Sequence, residues 1–203
     1  MRIVVLAACS ALLAGAQPAG KLVFADEFDR EGKPDPARWT YEIGFVRNQE
    51  LQWYQPENAR CQNGLLIIEA RRERKDNPDY QPGSASWRLN RPYAEYTSAG
   101  LSTKGLQSWR YGRFEMRGRI DTRPGLWPAF WTVGAEGRWP ASGDGLVLNE
   151  TDLKETLNPD GTNPFRKPHY IILNLAVGGS AGGDPGGTEF PARFEVDYVR
   201  VYQ

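Results

Sequence analysis

The chain has 203 residues, 40% hydrophobic and 12% aromatic, enough for one globular domain with a substantial core and short for two. Lysine plus arginine and aspartate plus glutamate each number 25. No field of one sign therefore draws the protein to nucleic acid or an anionic membrane, and a neutral partner fits better.

Residues 1–16 open with Arg2, continue through the apolar run IVVLAACSALLA and close on Ala14, Gly15 and Ala16 before Gln17. This is the pattern of a cleaved secretory leader, with an apolar run too short to span a bilayer. LAAC at Leu6–Cys9 also has the form of a lipoprotein box, but it comes very early and leaves apolar residues beyond the cysteine. A secreted protein, periplasmic or extracellular, is expected, with lipid anchoring at Cys9 as the lesser alternative. Cleavage after Ala16 removes Cys9 and leaves Cys61 without an intramolecular disulfide partner. Packing must then hold the domain, and Cys61 reads as a small buried thiol rather than a nucleophile.

Residues 17–203 read as a single domain. Short β-rich runs recur between Gly, Pro and Asn: KLVFADEF, GLLIIEARR, SAGLSTKG, YGRFEMRGRI, PAFWTVG, HYIILNLAVGG and FEVDYVRVYQ. The spacing predicts an all-β antiparallel sandwich or jelly roll, with the 22 Gly and 15 Pro mostly at its turns. In YGRFEMRGRI the period is two, with Arg113, Glu115 and Arg117 on a polar face and Phe114 and Met116 on a core face. GLLIIEA and HYIILNLAV are nearly continuous apolar runs, as expected of strands covered on both sides. The charge run RRERKDN (Arg71–Asn77) and the segment GGSAGGDPGG (Gly178–Gly187) read as solvated loops. The second lacks the Gly-Lys-Ser/Thr ending of a phosphate loop.

One histidine removes most of the catalytic menu. Histidine-rich zinc sites are excluded, and a Ser-His-Asp triad or Cys-His pair would depend on His169, at the start of an apolar strand. What remains plentiful is carboxylates and tryptophans. GLWPAFW places Trp127 and Trp131 on one face if the segment is extended. Composition alone favours core aromatics; the alternative is a platform for the C–H face of a pyranose.

FADEFD, NQELQWY, NGLLIIEA, YTSAGLSTKG, YGRFEMR, GLWPAFW, HYIILNLAVGG and FEVDYVRVYQ each resemble a block of glycoside hydrolase family 16, in family order, from about Leu22 to Gln203. The nearest likeness is to its secreted laminarinase-type branch, which cleaves β-1,3-glucans internally and sometimes mixed-linkage β-1,3-1,4-glucans. The resemblance implies a concanavalin-like jelly-roll β-sandwich, a monomer with no required cofactor, and a β-glucan polysaccharide or oligosaccharide as partner. It places Asn48, Arg113, Trp127, Trp131 and Asn174 on or near the concave glucan-binding face. For the three polar residues, sugar contact and a satisfied structural role are equally open. It further implies a structural calcium on the convex side, at positions matching Glu27, Gly64 and Asp197, with a plain capping or turn role as the alternative.

The family's E-x-D-x-x-E signature is missing. Its first and last Glu serve as nucleophile and acid-base, and its Asp tunes the nucleophile. Here the flank ending at Gly143 runs directly into DGLVLNETDL, which resembles a later family segment and puts Asp144, Leu146 and Asn149 at the three positions. Asn149 cannot transfer a proton. Glu150-Thr-Asp152-Leu-Lys-Glu155 satisfies the pattern literally, but seven residues too late and without the apolar residues of a central strand. Glu195 and Asp197 belong to the last strand. An internal deletion joining Gly143 to Asp144, with several strands lost, is the economical reading: a catalytically inactive or weakly glucan-binding relative. The alternative is an active retaining endo-β-1,3(4)-glucanase.

Overall fold

The computed structural model describes residues 20–135, 161 and 163–203; the expected leader with Cys9, and the expected join with Asp144, Leu146, Asn149, Glu150, Asp152 and Glu155, lie outside them. Within the described residues the β-rich runs become strands β1 (Leu22–Asp26), β2 (Thr40–Tyr41), β3 (Gln52–Tyr54), β4 (Ala59–Gln62), β5 (Leu65–Asp76) and β6 (Tyr93–Ser98), followed by β7 (Gly100–Ser102), β8 (Arg113–Arg119), β9 (Leu126–Gly134), β10 (His169–Val177) and β11 (Ala192–Tyr202). A single helical turn, α1 (Gly179–Gly182), follows β10. No helix among the described residues is long and apolar enough to cross a membrane.

The strands form two sheets, and the expected all-β jelly-roll sandwich is what they build. One sheet has the order β2-β7-β10-β9, antiparallel throughout. The other follows β1-β11-β5-β6-β3, with β4 on β5 and β8 on β11. Alternation decides which side chains meet between them. Leu101, Leu126, Ile171, Leu173, Leu175 and Val177 of the first sheet face Leu66, Ile68, Ala70, Phe194, Val196, Val199 and Val201 of the second, in one buried cluster. Removing such side chains from water, at about 25 cal/mol per Å² of apolar surface, is the main force closing the sandwich. Cys61 is a buried free thiol, and packing carries the stability of the described sheets.

Among the described residues, β8 pairs only with β11 and β9 only with β10. Both are terminal strands, and their core-facing Phe114, Met116 and Phe130 are only partly buried against the cluster.

One expected loop is a strand. Arg71–Asp76 continues β5 and pairs with β6 across a register shift between Arg72 and Lys75. Its charges mark a strand end exposed to water, since backbone pairing needs no apolar side chains once the core has been passed.

The core assignment is testable by urea denaturation. Leu173→Ala, at a fully buried position, should cost about 2–5 kcal/mol. Arg30→Ala, whose ion pair with Asp35 spans 3.6 Å at an exposed position, should change stability by no more than about 0.5 kcal/mol.

Candidate functional site

β9 and β10 are registered with Asn174 opposite Ala129, Ile172 opposite Trp131 and Ala176 opposite Trp127. Because Leu126 and Phe130 face the core, the alternate residues Trp127, Ala129 and Trp131 project from the outer face together with Asn174. They line an open cleft of about 500 Å³ whose walls are Arg47, Asn48 and Glu50, from the segment before β3, and Ser180 and Ala181 after β10. The volume suits a small ligand or a few sugar units of a longer one.

The aromatic lining is held by hydrogen bonds. Trp131 Nε1 donates to Asn174 Oδ1 at 2.8 Å, and Asn174 Nδ2 donates to the Tyr54 hydroxyl at 3.0 Å. Both ends of the Asn174 amide are thus engaged by protein, so Asn174 orients Trp131 where the sequence left open whether it meets sugar. The Arg47 guanidinium lies 5.1 Å from the Trp131 ring centroid and pairs with Glu42. Burial alone would weaken its charge, but the Glu42 carboxylate holds it above its ordinary pKa.

Glu50 is the one carboxylate on the described cleft walls, and it is only 2% exposed. It accepts from Gln52 Nε2 at 2.8 Å and more weakly from Asn48 Nδ2 at 3.3 Å. Gln52 Oε1 in turn accepts from the Val177 N–H at 2.8 Å, which leaves the amide nitrogen facing Glu50. Burial pushes the Glu50 carboxyl up, opposed by the Gln52 hydrogen bond and the Arg47 charge. Burial likewise raises the Tyr54 phenol well above its ordinary value.

The walls meet through unusual backbone. Asn48 and Gln49 have φ of 53° and 52°, the left-handed region that disfavours side chains. Ser180 N donates to Asn48 O at 2.9 Å and Leu51 N to Val177 O at 2.8 Å. Gly179, at φ 76°, has no room for a Cβ, which would lie 2.8 Å from Asn48 O. The start of GGSAGG, expected to be a solvated loop, is therefore cleft wall: its glycines permit an approach of two backbones that composition does not reveal.

Of the five expected sugar-face residues, the structure gathers Asn48, Trp127, Trp131 and Asn174. Arg113 is not among them. It sits on β8 in the other sheet, opposite Tyr202, 4.4 Å above that ring and 3.0 Å from Glu115. Alternation along YGRFEMR turns it to the outer face of the seven-stranded sheet. Arg47, Glu50, Ala129, Ser180 and Ala181 were not singled out from sequence; the signal for Glu50 was its place two residues after Asn48 in NQELQWY.

The expected calcium positions are occupied by ion pairs. Both Glu27 oxygens accept from Arg200 at 2.8 Å, and that hydrogen-bonded guanidinium holds the Glu27 carboxyl low. Asp197 lies 3.0 Å from Arg117, and Gly64, at φ 72°, makes the turn between β4 and β5. No group of three or more His, Cys, Asp or Glu among the described residues has metal-binding geometry. Glu27 and Asp197 are thus each paired with an arginine in this structure. Cys61 is buried with its thiol raised to about 11, chiefly by burial. His169 Nδ1 lies 2.8 Å from Lys167 O and its ring stacks on Phe165.

No protein-family model matches the chain. It is similar to the beta-glucanase of Rhodothermus marinus, 33% identical over 269 aligned positions that take in 92% of this chain and 86% of that one. Similarity also extends to glucan endo-1,3-beta-glucosidase A1 of Niallia circulans, 28% identical over 90% of this chain but only 38% of that protein, so this chain spans little more than a third of it. Among solved structures it resembles an endo-acting O-glycanase of the human gut microbiota (TM-score 0.78, 27% identity, 93% of this chain and 92% of that). The catalytic domain of an endo-1,3-beta-glucanase from Thermotoga petrophila superposes with TM-score 0.73, 27% identity and coverage of 91% and 98%. LamA of Zobellia galactanivorans, solved with laminaritriose and laminaritetraose, gives TM-score 0.66, 27% identity and coverage of 91% and 100%.

Because the folded state holds the Glu50 proton to higher pH than the unfolded chain, the stability from this group is fully present in acid and is lost as pH rises through its native pKa. Glu50→Gln should flatten that loss, gaining on the order of 1 kcal/mol over the wild type near neutral and alkaline pH. Melting curves from about pH 4 to about pH 8 read this directly, and an unchanged pH slope would remove Glu50 from the account.

Proposed function

The chain belongs to glycoside hydrolase family 16, among the laminarinase-type glucan hydrolases, and from that premise we propose that it is a secreted, monomeric β-1,3-glucan-binding protein that has lost hydrolysis. The observation that carries the loss is in the sequence: Gly143 runs directly into DGLVLNETDL where the family's E-x-D-x-x-E signature is expected. A retaining glycosidase needs a nucleophile and an acid-base about 5–5.5 Å apart across the scissile bond. The described cleft walls offer one carboxylate, Glu50, buried and tied to Gln52 and Asn48.

Two further observations support an internal deletion as the cause. The alignment with the Rhodothermus protein runs over 269 positions, more than the whole of this 203-residue chain, as expected if the relative carries segments that this chain skips. β8 and β9, each paired on one side only among the described residues, are also the last two described strands before Gly143. Lost neighbours would have paired there.

Binding is supported by what stays. Trp127 is half-buried on the cleft floor, and an indole face stacks on the apolar face of a pyranose while polar wall groups take its hydroxyls. Among the described residues the cleft charges are Arg47, its partner Glu42, and Glu50. They leave no excess positive charge for an anionic polymer, which favours neutral glucan.

Calorimetric titration with β-1,3-gluco-oligosaccharides should show binding that Trp127→Ala weakens by about tenfold or more, some 1.4 kcal/mol. No heat at millimolar ligand would overturn binding. Reducing-sugar release from laminarin, abolished by Glu150→Gln or Glu155→Gln, would overturn the loss of hydrolysis. Sequencing genomic DNA between codons 143 and 144 tests the deletion, since an in-frame E-x-D-x-x-E segment there would restore the enzyme reading.

A further inference from the structure

The excursion between β5 and β6 was absorbed by neither the core nor the cleft, and it folds around its own polar hub. The buried Asn77 donates from Nδ2 to Arg88 O and Arg91 O, each at 2.8 Å, while its N–H reaches Pro92 O at 2.9 Å. The excursion packs on a second, small apolar cluster of Phe45, Trp53 and Ala94, with Trp87 against it. Arg88 and Arg91 both stack on Trp87, at 4.8 and 4.7 Å, and Arg91 also lies 5.3 Å from Phe45.

From that base the two arginines reach across to the cleft segment. Arg91 Nη1 donates to Glu50 O at 2.6 Å and Nη2 to Gln49 O at 3.1 Å. Arg88 Nε donates to Val46 O at 2.9 Å. Neither arginine lines the cleft. The segment they hold contains the consecutive left-handed residues Asn48 and Gln49, a conformation that two successive side-chain-bearing residues keep only where surrounding contacts over-determine it. A planar guanidinium bridging two successive carbonyls sets the orientation of the peptide between them, which an ammonium cannot do.

We propose that Arg91, supported by Arg88 and Trp87, is a positioning residue: it holds the Asn48–Gln49 turn in the left-handed form that presents Asn48 and Glu50 to the cleft, without itself touching ligand. The ligand consequence rests on the glucan-binding reading above; the conformational consequence does not.

Hydrogen exchange on the full chain separates the two. In Arg91→Ala, the amides of Glu50, Leu51 and Ser180 should exchange about tenfold faster or more, while those of β5 and β10 stay within about twofold of wild type. Arg91→Lys should fall between, and Arg88→Ala should loosen the same amides less; both remain informative if Arg91→Ala does not fold. In the same samples the Kd for laminaritetraose should rise about fivefold or more in Arg91→Ala. Exchange unchanged at residues 50 and 51, or accelerated equally in β5 and β10, would overturn the proposal. If wild type binds no laminaritetraose, the glucan reading fails while the exchange result still decides this one.

Discussion

The pairing of β9 with β10 sets the terms for everything else in the molecule. Side chains alternate along both strands, so a register with Asn174 opposite Ala129 sends Leu126, Phe130, Leu173 and Leu175 inward and Trp127, Trp131 and Asn174 outward. A slip of one residue would turn two tryptophans into the core and strand the aliphatic row in water. That energetic gap makes the register rigid, and the cleft inherits the rigidity. The Trp131–Asn174–Tyr54 chain of hydrogen bonds then ties the cleft floor to β3, a strand of the other sheet.

Charge in the cleft is arranged so that little of it is free. Arg47 faces Glu42 and lies on Trp131; Glu50 is met by two amide donors. Arg47 keeps its charge through Glu42, while burial pushes the Glu50 carboxyl up against the pull of its amide donors. The outer face of the seven-stranded sheet shows the contrasting regime. There Arg117–Asp197 and Arg200–Glu27 sit in partial contact with water, where ion pairs are worth little individually. Arg113 belongs to that surface.

Among the described residues two strands, β8 and β9, are paired on one side only, in a protein whose net stability is expected to be about 5–15 kcal/mol. Phe114, Met116 and Phe130 sit at the ends of the two sheets with part of their surface uncovered by the described core. An uncovered strand edge presents unpaired backbone groups. The fold holds because its densest packing lies elsewhere, between β5, β10 and β11, where most core-facing side chains are wholly buried.

The strands were legible in the sequence because alternation and apolar runs are local signals: YGRFEMR, GLLIIEA and HYIILNLAV lie where their patterns place them, and Trp127 and Trp131 share a face. Composition misled where the cause was not local. RRERKDN is a strand because β6 pairs with it, and Ser180–Ala181 is a cleft wall because Gly178 and Gly179 let two backbones approach there. By itself the sequence determined the sandwich and the shared face of Trp127 and Trp131, since each depends on residue type and spacing along one stretch of chain. Only the tertiary structure decided that Asn174 serves Trp131, that Arg113 faces the wrong way, and that Glu50 sits beneath a strained turn. Those follow from contacts between segments as much as 120 residues apart, and such contacts leave no periodic trace in either segment.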